Sequence, residues 1–241
     1  MSATRLELRD RAKRRADMED SRFVDDREWN DYINEAVSAL HDVIVMVYRD
    51  YFREIVEIPI VTGTKTYDLP NGTNYSGAKP FYKGKAVYWK ESDYLYELDP
   101  FMIGENSTSL YAISYAASIG LGAGRTLRYR YINSSIEFSP VPTENGTVEL
   151  WYIPQATKLL EDDDEIDFAI VNGWEEYILL EAAIKALEKE ESLEQAAVLG
   201  AQLARLRDRI TVAAQQRDAG RPQRVRDVRS YRWFPRRRRI Y

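Results

Sequence analysis

The only histidine, His41, lies between Ser38 and Asp42, the residue types of a nucleophile, base and acid relay. At this spacing on one helix the serine and the aspartate cannot reach opposite nitrogens of the imidazole. His41 therefore reads as a histidine at the margin of a packed face. One imidazole and no cysteine exclude metal sites built on several histidines or on thiolates within one chain. The stretch GLGAGRT, Gly120 to Thr126, has the glycines of a phosphate loop. It lacks the Gly-Lys-Ser/Thr ending and does not open a helix, so it reads as a flexible β connection. EDDDEID, Glu161 to Asp167, is dense in carboxylates, but Ile166 and Asp167 break the ligand order of a calcium loop. These acids read as solvated and as complementing the dipole of a helix that follows. The 39 acids offer many pairs for glycoside hydrolysis, and nothing in their context nominates one. Tyr94, Tyr96, Tyr111, Tyr115, Tyr129, Tyr131 and Tyr152 could stack bases or sugars, yet in strand-like sequence they read more simply as sheet packing.

The strongest chemical signal is the end of the sequence. From Arg221 to Tyr241 there are nine arginines against Asp227 alone, a local charge of +8, which leaves −13 for residues 1–220 of a chain at −5. Arg229, Tyr231, Arg232, Trp233, Phe234, Arg236, Arg237, Arg238, Arg239 and Tyr241 interleave guanidinium and aromatic groups without helical or strand periodicity. Such a segment can bind phosphates while its rings stack on bases. It can equally dock on a protein, since arginine and aromatic side chains are the usual anchors of interfaces. Docking is favoured because an acidic body resists close approach to nucleic acid.

The elements that carry these residues follow from periodicity. Thr4 and Glu7 form a capping box for a short helix to about Asp17, whose thin apolar side (Leu8, Ala12, Ala16) must lean on something larger. Asp25 and Glu28 open a long amphipathic helix through Trp29, Ile33, Val37, Leu40, Ile44, Val47 and Tyr51. REIVEIPIV, TGTKTYDLP, KGKAVYW and DYLYEL then read as strands and turns. TLRYRYINSSIEFSPVPTENGTVELWYIP adds three more strands, with a turn at Asn133 to Ser135 and a hairpin turn at Asn145-Gly146. Helical spacing returns from Trp174 to Leu187, breaks near Glu191 and Ser192, and runs from Leu193 through Ile210 before Gly220-Arg221-Pro222.

The expected fold is α+β. Residues 1–52 and 160–220 are expected to pack together as a helical bundle, with an inserted antiparallel β lobe of residues 53–159 projecting from it and the basic arm 221–241 following. The length and 44% apolar composition suffice for a buried core. No export is expected from MSATRLELRDRAKRR, which lacks a secretory core, and no membrane partner, since the longest apolar run, Val43 to Val47, is short.

The order of RFVDDREWNDYINEAVSAL, TGTKTYDLP, YRYINSSIEFSPVP, VELWYIP and NGWEEYILLEAAIKALEKEES running to QQRDAGRPQRVRDV resembles the head-to-tail adaptors of tailed bacteriophages, especially short-tailed ones. The resemblance covers most of the chain apart from Gly72 to Gly124, and RWFPRRRRIY goes beyond the shared pattern. It implies a non-enzymatic virion protein of the head-tail junction, without metal or cofactor, assembled in the host cytoplasm as a dodecameric ring. Its implied partners are further copies of itself, the portal protein, tail nozzle or tail-fibre proteins, and the viral DNA that passes through the lumen. It also gives the arm, with Arg229 to Tyr241, a role in docking on the portal. The runner-up is a nucleic-acid-binding protein acting through the same arm. A third reading, a carbohydrate-active enzyme built on the tyrosine-rich lobe, lacks a nominated carboxylate pair.

Overall fold

In the computed structural model, residues 3–48, 51–102, 127–166 and 173–217 are described, the last four without their side chains. Helix α1 spans Arg5–Arg15, and its capping box forms as the sequence dictates, with Thr4 and Glu7 bonding each other's backbone amides. It stops short of Asp17 because that residue turns left-handed at φ 56°. Leu8 and Ala12 are wholly buried, which anchors a helix too short to persist alone. Helix α2 spans Asp26–Val47, with the Asp25 carboxylate accepting from the Glu28 amide.

Tyr51 does not continue α2, contrary to its helical spacing. Tyr48 turns extended (φ −123°, ψ 95°), and the chain folds back so that the Phe52 ring stacks on His41. Helices α3 (Glu175–Lys189) and α4 (Leu193–Arg217) form a hairpin broken where Glu191 adopts φ 63°. The stop expected at Gly220 lies outside the described residues. The four helices among the described residues contribute to one core, with Trp29, Ile33, Leu40, Trp174, Ile178 and Ile210 at its centre.

Between α2 and α3 lie two four-stranded sheets. The first has the order β1-β8-β3-β4, with β1 Glu54–Ile60, β8 Gly146–Pro154, β3 Phe81–Glu91 and β4 Tyr94–Glu97. The second has the order β2-β7-β6-β5, with β2 Thr66–Asp68, β7 Ser135–Ser139, β6 Arg128–Ile132 and β5 Asp99–Pro100. Alternation on β1 turns Val56, Ile58 and Ile60 inward, where they meet Leu150, Val87, Ile136 and Phe138 from both sheets in a second core. The described fold is therefore mixed α+β.

Two expectations for the β region need correction. The lobe is not wholly antiparallel, because β5 runs parallel to β6, with Asp99 opposite Arg128 and Pro100 opposite Tyr129. Asn145-Gly146 is not a hairpin turn, because β8 leaves the sheet of β7 and pairs with β1, Gly146 opposite Ile60. Asn145 Oδ1 instead accepts from the Thr62 amide at 2.8 Å. Glycine is required at 146 because a Cβ there would run into the Trp89 ring.

Candidate docking surfaces

Helix α1 is basic, and the rest of the helical frame absorbs its charge. Arg5 reaches Asp162 at 2.7 Å and Arg9 reaches the same carboxylate at 3.2 Å. Arg11 pairs with Glu175 at 2.8 Å, Lys13 with Asp26 at 2.5 Å, and Arg15 with Glu176. Arg9 is buried and also donates to Asn30 Oδ1 at 3.2 Å, while its Nε finds no partner among the described residues. Arg5 hydrogen-bonds hold the Asp162 carboxyl below its usual pKa, with Arg9 adding to the effect.

Two members of the acidic run, Asp162 and Asp164, are thus structural, while Glu161, Asp163 and Glu165 are exposed as solvated acids. Asp164 accepts from the amides of Leu160 and Glu161 at 2.6 and 2.8 Å, which lowers its pKa. Asn34 clasps the segment just before it, accepting from Leu159 N at 2.8 Å and donating to Leu159 O at 3.1 Å. Helix α3 begins at Glu175, and the acids in its own first turn are Glu175 and Glu176. Asp167 lies outside the described residues.

His41 is not at a margin. It is 3% exposed, stacked on Phe52 at 4.4 Å and edge-on to Tyr82 of β3 at 5.6 Å. The Tyr82 hydroxyl donates to Asp42 Oδ1 at 2.7 Å, so α2 and the first sheet meet in an aromatic and polar contact. Ser38 Oγ donates to the Asn34 carbonyl and takes no part in it. Asp42 Oδ1 lies 3.8 Å from His41 Nδ1, but Ser38 completes no relay with them, because its hydroxyl is turned back to the Asn34 carbonyl.

In the β lobe, buried Glu137 is neutralised by Lys65 and by Arg130, which lies directly across the ladder. The Lys65 hydrogen bond, then that of Arg130, hold its carboxyl below the ordinary range against the opposing effect of burial. Tyr129 and Tyr152 are core residues, and the Tyr152 hydroxyl donates to the Lys79 carbonyl at 2.8 Å. Burial raises the Tyr152 pKa. Tyr94 is exposed, and Tyr111 and Tyr115 lie outside the described residues. On the outer face of the first sheet the opposed pair Glu57 and Glu149 shares Lys90, at 2.5 and 3.3 Å. Beside it the Arg53 guanidinium sits 4.6 Å above the Trp151 ring.

Among the described residues no three His, Cys, Asp or Glu side chains gather as metal ligands, and no helix is long and apolar enough to cross a membrane. The arm residues singled out from sequence, Arg229 to Tyr241, lie outside the described residues, as does Gly120 to Thr126. The profile of the SU10 adaptor protein family matches residues 3–226, and the chain belongs to that family. It is a structural adaptor of bacteriophage type, as the order of its sequence stretches implies. No curated protein matches the chain. The family match ends at Arg226, so every arm residue from Arg229 onward lies beyond it.

Proposed function

We propose that the chain is a ring subunit between portal and tail of a phage virion, one that extends the DNA channel, closes the filled head and offers a platform for tail proteins. Family membership over residues 3–226 is the observation that carries this reading. Residues 1–52 and 160–220 serve as the helical frame, residues 53–159 as the β lobe and residues 221–241 as a docking arm. The net acidity of residues 1–220 suits a channel that must not hold phosphates as DNA slides. The arm, with Arg229, Tyr231, Arg232, Trp233, Phe234, Arg236 to Arg239 and Tyr241, docks on the portal. Many copies acting in register give a firm junction from individually weak contacts. The chain works in the virion without covalent chemistry, its partners being further copies, portal, tail nozzle or fibre proteins and the DNA in transit.

Deletion of residues 221–241 tests the arm. The truncated protein is expected to keep its far-ultraviolet circular dichroism and to lose attachment to portal-bearing heads. Normal attachment overturns the role of the arm. Native mass spectrometry of the assembled junction tests the ring, which predicts a closed multiple of the subunit bound to a second protein.

A further inference from the structure

Four segments from the two sheets meet around one cleft in the β lobe. They are the stretch after β2, the approach to β3, the turn between β6 and β7 and the exit from β8. Three backbone hydrogen bonds of 2.8 Å tie them into a frame, from the Leu69 amide to the Ser134 carbonyl, from Phe81 to Pro70 and from Gln155 to Pro80. The cleft measures about 470 Å³, within the roughly 300–1,000 Å³ of small-molecule sites. Walls tied in this way are formed in advance of a ligand.

The lining is chemically selective. Pro70, Pro80 and Phe81 give it apolar surface, and the Phe81 ring is backed by Tyr131 and Tyr152, with centroids 5.3 and 5.8 Å away. Asn71, Asn133, Ser134 and Gln155 supply polar groups, and among the described residues no charged side chain lines the cleft.

Two of the amides are held by the backbone at one end only. Asn71 Oδ1 accepts from the amides of Thr73 and Asn74 at 2.9 Å each, which leaves Nδ2 as a donor. Gln155 Nε2 donates to the Phe81 carbonyl at 3.1 Å, which leaves Oε1 as an acceptor. The side chains of Asn133 and Ser134 make no hydrogen bond among the described residues. Asn133 also holds φ 52°, a conformation that glycine adopts at no steric cost, so the turn itself has no need of its side chain.

These groups define a class of ligand. A cleft without charged side chains gives no ion pair to an anion or a cation, and without a pair of carboxylates it is not built to hydrolyse a glycosidic bond. A sugar ring suits both kinds of lining, because its C–H face is apolar and each of its hydroxyls donates and accepts. We propose that this cleft binds a neutral carbohydrate, a mono- or disaccharide unit packed on Pro70, Pro80 and Phe81 and hydrogen-bonded by Asn71, Asn133, Ser134 and Gln155. The proposal goes beyond the ring reading and does not depend on it.

Saturation-transfer NMR on the full chain tests it, with glucose, galactose, mannose, N-acetylglucosamine and their neutral disaccharides as probes. At least one of these sugars is expected to receive saturation, most strongly at its ring C–H protons. Asn133→Gly combined with Ser134→Ala is expected to keep the thermal midpoint and to weaken that binding about tenfold or more, since two hydrogen bonds are lost. Glucuronic acid and glucosamine, the charged counterparts, should bind more weakly than the neutral sugar. Absence of binding by every neutral sugar overturns the proposal, as does undiminished binding by the double variant or tighter binding of either charged sugar. Gln155→Ala is a second measurement that leaves the turn untouched. It is expected to weaken the same sugar severalfold, and full affinity in that variant also overturns the proposal.

Discussion

Arg9 Nη1 and Asp162 Oδ1 lie 3.2 Å apart although 153 residues separate them in the chain. Through this contact the first helix is fastened to the segment that leaves the β lobe, and the two halves of the helical frame are held together. The buried guanidinium has Asn30 as its other side-chain partner, so the pair cannot be broken without leaving charge in a poorly solvated place.

Asp162→Ala is therefore expected to loosen α1. Hydrogen exchange of the amides of Arg5 to Arg15 should accelerate, and the thermal midpoint should fall. A larger effect is expected from Asp162→Ala than from Asp163→Ala, because no ion pair joins Asp163 to a described residue.

Acid should act on the same contact. Asp162 and Asp26 have pKa values depressed by Arg5 and Lys13 respectively, so the folded state holds their protons more weakly than the unfolded chain does. Their stabilisation is complete above the ordinary carboxylate value of about 4 and is lost as the pH falls through the depressed values. Urea midpoints between pH 6 and pH 5 should show no loss from these two groups, with a decline below about pH 4. Asp162→Asn should flatten that decline.

Gly146→Ala should destabilise the β lobe by roughly 1–3 kcal/mol, the usual range for overfilling a packed site. The added methyl group meets the buried Trp89 ring. A blue or red shift in tryptophan emission together with a lower urea midpoint checks it. A hairpin-turn role for this glycine would make Asn145 the sensitive position instead.

The helical and β cores have separate membership, so substitutions in them should act on different parts of the molecule. Trp29→Ala and Phe138→Ala should each cost about 3–5 kcal/mol. Residue-resolved hydrogen exchange is expected to show the first loosening α2 and α3, and the second loosening β6 and β7.

Tyr82→Phe removes the hydroxyl that reaches Asp42 from β3. The expected cost is about 1 kcal/mol. Its readout is faster exchange at the start of β3 with little change in α4.

Local order was legible wherever neighbours in sequence decide it. The capping box of Thr4 and Glu7, the amphipathic stripe from Trp29 to Ile44, the β alternation of Val56, Ile58 and Ile60 and the break at Glu191 all depend on residues a few positions apart. Tyr51 misled because helical spacing persists for one turn beyond the point where the backbone has already turned extended at Tyr48. Asn145-Gly146 misled because its dipeptide chemistry suits a hairpin, while strand partnership is settled by which sheet offers β8 a buried face.

The candidate site divides in the same way. Composition alone marks Arg221 to Tyr241 as a basic, aromatic arm on an acidic chain, and the order of sequence stretches implied the adaptor family that residues 3–226 belong to. Only the tertiary structure could show that Asp162 serves Arg5 and Arg9, that His41 is shut between Phe52 and Tyr82, and that the buried side of α4 runs from Ala196 through Leu206 to Ile210. Sequence periodicity reports how many faces of a helix are apolar. Which of those faces its own chain covers depends on the packing of elements far apart in sequence, and only their arrangement in space decides it.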